Sequence, residues 1–321
     1  MIALLLDKFT LTIIATAGLA SIIPLPHSVI GVVSLCSYIG ISALFFFHGA
    51  RLSRQAIYEG AMHWKLHILI LLCTFVFFPM LGFFIRPLIQ HILTPELIMG
   101  VVFVCLLPST VQSSIALTSI AGGNVAAAIC AASLSSLLGV FITPLLLTTC
   151  VHINQSFNQS VSAIITIVLQ LCLPFIAGHL LQPKLSHWLD RRRSFLRLLD
   201  QGIILLVIYK AFSEAVYDKA WQNIAWKEIV ILFFLVLALF SCAFACILWL
   251  ARSLKLSRAD EITMTFCGSK KSLATGVTIA NAVFPSSLLG IIVLPLMFYH
   301  QLQLIFCTFF AQRYALKAKE S

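Results

Sequence analysis

Runs of about twenty apolar residues, parted by short polar loops, recur along the whole 321-residue chain. A helix needs roughly 20 such residues to cross the ~30 Å hydrocarbon core of a bilayer. Ten segments qualify or nearly qualify: Phe9–Leu25, Val29–Ala50, Leu66–Phe84, Leu97–Ile120, Val125–Thr149, Ser160–Leu181, Leu198–Tyr217, Glu228–Leu250, Asp260–Phe284 and Ser287–Ala311. In lipid every backbone N–H and C=O must bond internally, so the segments are expected to be helices. Barrel strands would alternate apolar and polar residues over about ten positions, and these runs do not. Only 10% of the residues are charged, against about 25% in soluble domains, too few to cover a water-facing surface. The expectation is one all-α integral membrane domain over residues 1–321. Phe9–Leu25 reads as a retained span, because Asp7 beside Lys8 leaves no basic leader and Gly18-Leu19-Ala20 is a poor cleavage site.

The net charge of +10 would suit a nucleic-acid partner, but its distribution argues against one. Lys8, Arg51, Arg54, Lys65, Lys184, Arg191, Arg192, Arg193, Arg197, Arg252, Lys255, Arg258, Arg313, Lys317 and Lys319 fall on one side of the ten spans. Only Arg86, Lys219 and Lys227 fall on the other. The positive-inside rule then places both termini in the cytoplasm and favours an even number of spans. Trp64, Trp188, Trp221, Trp226 and Trp249 lie near span ends, as an interfacial belt requires. The ten cysteines are scattered, without a CxxC pair or metal-ligand spacing, and read as small apolar fillers.

A weak repeat organises the spans. Ser114-Ile115-Ala116 in the fourth matches Ser272-Leu273-Ala274 in the ninth, 158 residues later. Each follows a polar, helix-weakening stretch: Pro108-Ser109-Thr110-Val111-Gln112-Ser113 in one, Gly268-Ser269-Lys270-Lys271 in the other. Five spans per repeat is odd, so the second repeat enters the membrane upside down, the inverted-repeat plan of many secondary transporters. Repeat one would cover about 1–155 and repeat two about 156–321, with helices 4 and 9 broken where they cross. A lysine at the bilayer centre costs about 2.5–3.5 kcal/mol, so Lys270 and Lys271 need water, partners or substrate. Either the ninth span starts after them, or they sit at an unwound crossing lined by protein and water. In the second case the half-helix N-termini near Gln112–Ser114 and Ser272, with the two lysines, bias the site toward an anion.

Other polar residues are less directive. Ser133, Ser135 and Ser136 in the fifth span either line a cavity or pack helix interfaces. Lys210 and Glu214 form an i, i+4 pair. His48 reads as interfacial, and Gln301 and Gln303 as cavity groups or residues of the last span's cytoplasmic half. HExxH, GxSxG and GxxxxGK[ST] are absent. Asp260 and Glu261 open the ninth span, where capping accounts for them. The chain therefore does not read as an enzyme.

Three stretches carry a family resemblance: Leu107 through Ser114; Ala121-Gly122-Gly123-Asn124-Val125-Ala126 followed by Ser135 to Thr143-Pro144-Leu145-Leu146; and Gly268 through Ala274. On these the chain resembles the bile acid:sodium symporter superfamily, in a divergent branch with bacterial and vertebrate members. The resemblance implies ten helices in two inverted repeats. A panel of the first, second, sixth and seventh helices would face a core of the other six, with substrate between them and alternating access from their relative motion. Sodium-coupled members carry an Asn after the Ser of the first crossing, hydroxyls early in the next helix and a Glu at the second crossing. Here Ser114 is kept, but Ile115, Ala128 and Ala132 take the other first-site positions, and Phe266-Cys267-Gly268 followed by two lysines takes the place of the Glu.

The expectation is a secondary symporter, a multi-pass solute carrier in the lipid bilayer, that moves a small organic anion. Ser109, Thr110, Gln112, Ser113, Ser114, Ser133, Ser269, Lys270, Lys271 and Ser272 would line its substrate or ion site. No cofactor or nucleic acid is expected beyond a coupling cation, sodium or proton. A fixed ammonium could replace sodium at the crossing, and a bound anion would favour that ammonium, which makes the proton a candidate co-substrate. The alternative is a membrane-embedded regulatory or scaffold protein without transport.

Overall fold

The computed structural model describes residues 8–51, 63–150 and 157–320. These are helical, with no strand among them. Among the described residues twelve α-helices follow one another: α1 Lys8–Ile22, α2 His27–Arg51, α3 Trp64–Ile89, α4 Pro95–Leu106, α5 Gln112–Ile120, α6 Val125–Cys150, α7 Phe157–Arg191, α8 Arg193–Tyr217, α9 Trp226–Ser253, α10 Arg258–Gly268, α11 Leu273–Val283 and α12 Ser286–Glu320. Five of them are long and apolar enough to cross a membrane: α2, α3, α6 over Val125–Leu147, α9, and α12 over Ser286–Lys317. Large apolar side chains such as Ile22, Phe83, Phe84, Leu88 and Leu180 are exposed on the outside, as a lipid solvent permits. Asp7, Arg54 and the expected repeat boundary near residue 155 lie outside the described residues.

Local chemistry sets the helix ends. Pro95 opens α4 behind an extended Thr94, with Glu96 in the first turn, where proline's missing N–H costs nothing and a carboxylate meets the positive dipole end. Ser257 caps α10 by accepting from the Asp260 N–H. α5 stops at Gly122, whose φ of +74° suits glycine. The Gly123 N–H bonds Thr118 O and the Gly122 N–H bonds Ser119 O, a Schellman pair. Asn124 then starts α6 by accepting from the Ala127 N–H, and its side-chain amide donates to Asp260 of α10. The Gly-Gly-Asn turn thus both reverses the chain and docks it on α10.

α1, α2, α7 and α8 pack on one another. α2 and α7 meet backbone to backbone: a Cβ on Gly49 would collide with Phe175 O, and one on Gly178 with Phe46 O. Two tyrosines of α8 tie it to the α1–α2 turn, Tyr209 donating to Ile23 O at 2.7 Å and Tyr217 to Leu25 O at 2.8 Å. Lys210 lies 3.9 Å from Glu214 and donates to Ser286 at the start of α12. The remaining helices pack together, with α12 along α4, α9 and α11, and α12 also packs against α8.

α3 contains the one irregular turn that matters for the site. Cys73–Phe77 is π-helical, and the Phe78 N–H reaches back to Cys73 O. In that register the next bond would run from residue 79 to Thr74 O, but residue 79 is a proline and has no N–H. The Thr74 carbonyl is left for another donor.

Candidate functional site at two helix interruptions

α4 ends at Leu106 and α5 begins at Gln112; α10 ends at Gly268 and α11 begins at Leu273. The two interruptions touch. The Ser272 N–H donates to Pro108 O at 2.9 Å, the Ser109 hydroxyl to Cys267 O at 2.5 Å, and the Ser114 hydroxyl to Phe266 O at 3.3 Å. A helix end leaves carbonyls without intrahelical donors, and a buried one must find them elsewhere.

Here nearly every one is accounted for. At the end of α4, Leu106 O accepts from Thr143 of α6 at 2.8 Å. Cys105 O and Leu107 O accept from the Lys271 ammonium at 3.2 and 2.7 Å. That ammonium also donates to Thr74 O at 3.1 Å, the carbonyl that Pro79 leaves open, and lies 4.0 Å from the centre of the Phe78 ring. Lys271 is fully buried. Its charge is therefore held by three carbonyl dipoles and an aromatic face. At the other interruption, Ser269 O accepts from Tyr299 at 2.7 Å. Gln303 brackets Lys271, accepting from its N–H at 2.8 Å and donating to its C=O at 2.9 Å. Ser135 of α6 accepts the Ser109 N–H at 3.0 Å. Each interruption is thus held by the long helix that follows it: α6 with Ser135 and Thr143, α12 with Gln303 and Tyr299.

Lys270 is also fully buried, but its ammonium has no hydrogen-bond partner among the described residues. The two neighbouring lysines differ sharply in their surroundings.

A cavity of about 670 Å³ lies beside the interruptions, between the α1–α2–α7–α8 group and the rest. Of the residues singled out in the sequence, Thr110, Gln112, Ser113, Ser133 and Ser272 line it. Ser109, Ser114, Ser269, Lys270 and Lys271 lie in the buried layer where the interruptions meet. Thr110 couples the two sets through hydroxyl contacts with Ser113 at 2.8 Å and Ser114 at 3.0 Å. Ser133 and Ser136 face the cavity, whereas Ser135 serves the backbone.

Sequence reasoning missed the opposite wall: His48, Arg51, Arg197, Asp200 and Gln201, together with His300, Thr275 and Thr308. Leu44, His48 and Arg51 follow an i, i+4, i+7 spacing, as Arg197, Gln201 and Ile204 do with Asp200 between them. Helical periodicity at a span end was the available signal. Arg51 Nη1 lies 2.8 Å from Asp200 Oδ2.

An apolar protein, helical through its described residues, that sets two interrupted helices beside a cavity walled by apolar, hydroxyl and charged side chains has the build of a polytopic membrane transporter. The comparisons agree. The SBF-like CPA transporter family matches residues 7–316, and the chain belongs to that family. It is 49% identical over 309 residues to an uncharacterized protein of Pseudomonas aeruginosa, covering 96% of this chain and 93% of that one. It is 44% identical over 310 residues to YfeH of Escherichia coli, a candidate symporter, covering 97% and 93%. It is 30% identical over 275 residues to sodium/bile acid cotransporter 7-B of Xenopus laevis, covering 84% and 79%.

Proposed function

We propose that the chain is a secondary active transporter of a small organic anion, working by alternating access between a panel (α1, α2, α7, α8) and a core (α3–α6, α9–α12). The observation that carries this reading is the cavity itself: one wall is panel, the other is core, and the core wall is built from the two interruptions. In this reading α4–α5 and α10–α11 are the fourth and ninth of ten spans. They belong to two inverted repeats of about 1–155 and 156–321 in a single transmembrane domain. The parallel support of the two interruptions by α6 and α12 favours that symmetry. The basic residues support termini in the cytoplasm, and the bacterial relatives support a bacterial inner membrane. The names of the relatives, a candidate symporter and a sodium/bile acid cotransporter, support symport of an organic anion.

The donor set supports a proton rather than sodium as the coupling cation. Ile115, Ala128 and Ala132 bring no side-chain oxygen to the first interruption, and the carbonyls of Thr74, Cys105 and Leu107 hold the Lys271 ammonium. A sodium ion there would have to compete with the Lys271 side chain for the same three carbonyls. The described residues do not fit sodium at that place, and Lys271 does its electrostatic work by holding the interruption together. The coupling ion in this reading is the proton.

The test is uptake into proteoliposomes of an organic anion first identified by thermal stabilisation of the purified protein. Uptake driven by an inward proton gradient and indifferent to sodium is the expected result. Strict sodium dependence would overturn the coupling, and no uptake of any stabilising anion would overturn the transport reading.

A further inference from the structure

The lysines do not reach the cavity, so the charge that recognises an anion has to come from elsewhere. We propose that the panel end of the cavity, with Arg51 and Arg197 as donors and Asp200 as a built-in counter-ion, is the subsite for the carboxylate or sulfonate head of the solute. The proposal rests on the transport reading. It moves anion recognition from the core, where the sequence puts it, to the panel.

The geometry of the Arg51–Asp200 pair points this way. A guanidinium and a carboxylate that serve only structure commonly engage two-pronged, with two parallel bonds. Here Nη1 meets Oδ2 alone, and the buried Oδ1 has no partner. The Arg51 side chain is 29% exposed and that of Asp200 12%. Since a guanidinium carries five N–H groups, Arg51 is oriented by Asp200 without being consumed by it. Arg197 stands one turn before Asp200 on α8, lines the same cavity, and makes no ion pair among the described residues. Two guanidiniums and one carboxylate leave one positive charge, which matches a monoanion. The planar forks of arginine suit carboxylate and sulfonate oxygens. Leu44, Phe175 and Ile204 on the same wall offer apolar surface to the body of the solute.

The test uses the full chain in lipid nanodiscs and four probes with one body: octanoate, octanesulfonate, octanol and octylammonium. Dose-dependent thermal shifts report binding, since a ligand of the folded state stabilises by RT ln(1 + [L]/Kd). The two anions are expected to stabilise the wild type more than the alcohol or the amine does. Arg51→Gln alone strands a buried carboxylate, so the informative variants are Arg197→Gln and the double variant Arg51→Gln/Asp200→Asn, which removes both partners together. Each should weaken anion binding by roughly tenfold or more, while Asp200→Asn alone keeps it or tightens it. Equal anion affinity in these variants, or no preference for the anions over the alcohol in the wild type, overturns the subsite. Uptake measured in parallel separates the two ideas. Anion binding without uptake defeats the transport reading and leaves the subsite standing, whereas full uptake by the arginine variants defeats the subsite alone.

Discussion

Lys271 and Lys270 are adjacent in sequence and opposite in circumstance. Removing Lys271 leaves three buried carbonyls short of a donor, and a buried polar group left without its partner costs about 1–3 kcal/mol. Lys271→Met should therefore lower the thermal midpoint by several degrees or prevent folding. Lys270→Met orphans nothing and should leave the midpoint unchanged or raise it. Equal losses in a thermal unfolding assay would show that the two lysines are equivalent after all. The sequence made both residues conspicuous, because lysines within an apolar span demand an explanation. It did not distinguish them, because the Lys271 partners are backbone carbonyls, set free by a proline and a helix end some 160 to 200 positions away. Arg51 and Arg197 were hidden differently. As basic residues at span ends they already answered to the positive-inside rule, and nothing in one dimension showed that they share a wall.

At the scale of the elements, the π-turn of α3 and the interruption that precedes α11 form one device. Pro79 withholds the donor that Thr74 O would otherwise receive, and Lys271 supplies it. Pro79→Ala offers a backbone N–H in its place, so the effects of Pro79→Ala and Lys271→Met on stability should be non-additive by about 1 kcal/mol or more in a double-mutant cycle. Additive effects would separate the two features. The α2–α7 contact is the other sensitive element. Gly178→Leu places a side chain against the Phe46 backbone and should abolish assembly of the panel, read as loss of a monodisperse protein in detergent. Leu at the open position Gly202, where a Cβ meets nothing within 4 Å, should be tolerated. Hydropathy located most helices, since apolar length is what a bilayer selects. It gave poor ends for α7 and α12, which run on to Arg191 and Glu320. Expected ends at Leu181 and Ala311 marked where apolar character stops, but helical hydrogen bonding continues into water without it. The interfaces were less legible, because Gly49 and Gly178 show their purpose only when paired.

On the scale of the whole molecule, a cavity lies between the α1, α2, α7 and α8 group and the remaining helices, and the proposed function stands on these two groups moving relative to each other. The charge asymmetry of the loops predicts a cytoplasmic C-terminus, so a reporter fused after Ser321 should be active only if cytoplasmic; an external reading would invert the assignment of the cavity's two sides. The central claim is tested most directly by pulsed electron–electron distance measurement in nanodiscs. Spin labels would be placed at Phe195 on α8 of the panel and Leu316 on α12 of the core, both exposed. The account predicts two distance populations, whose balance shifts when a stabilising anion is added. A single distance, the same with and without that anion, would contradict it.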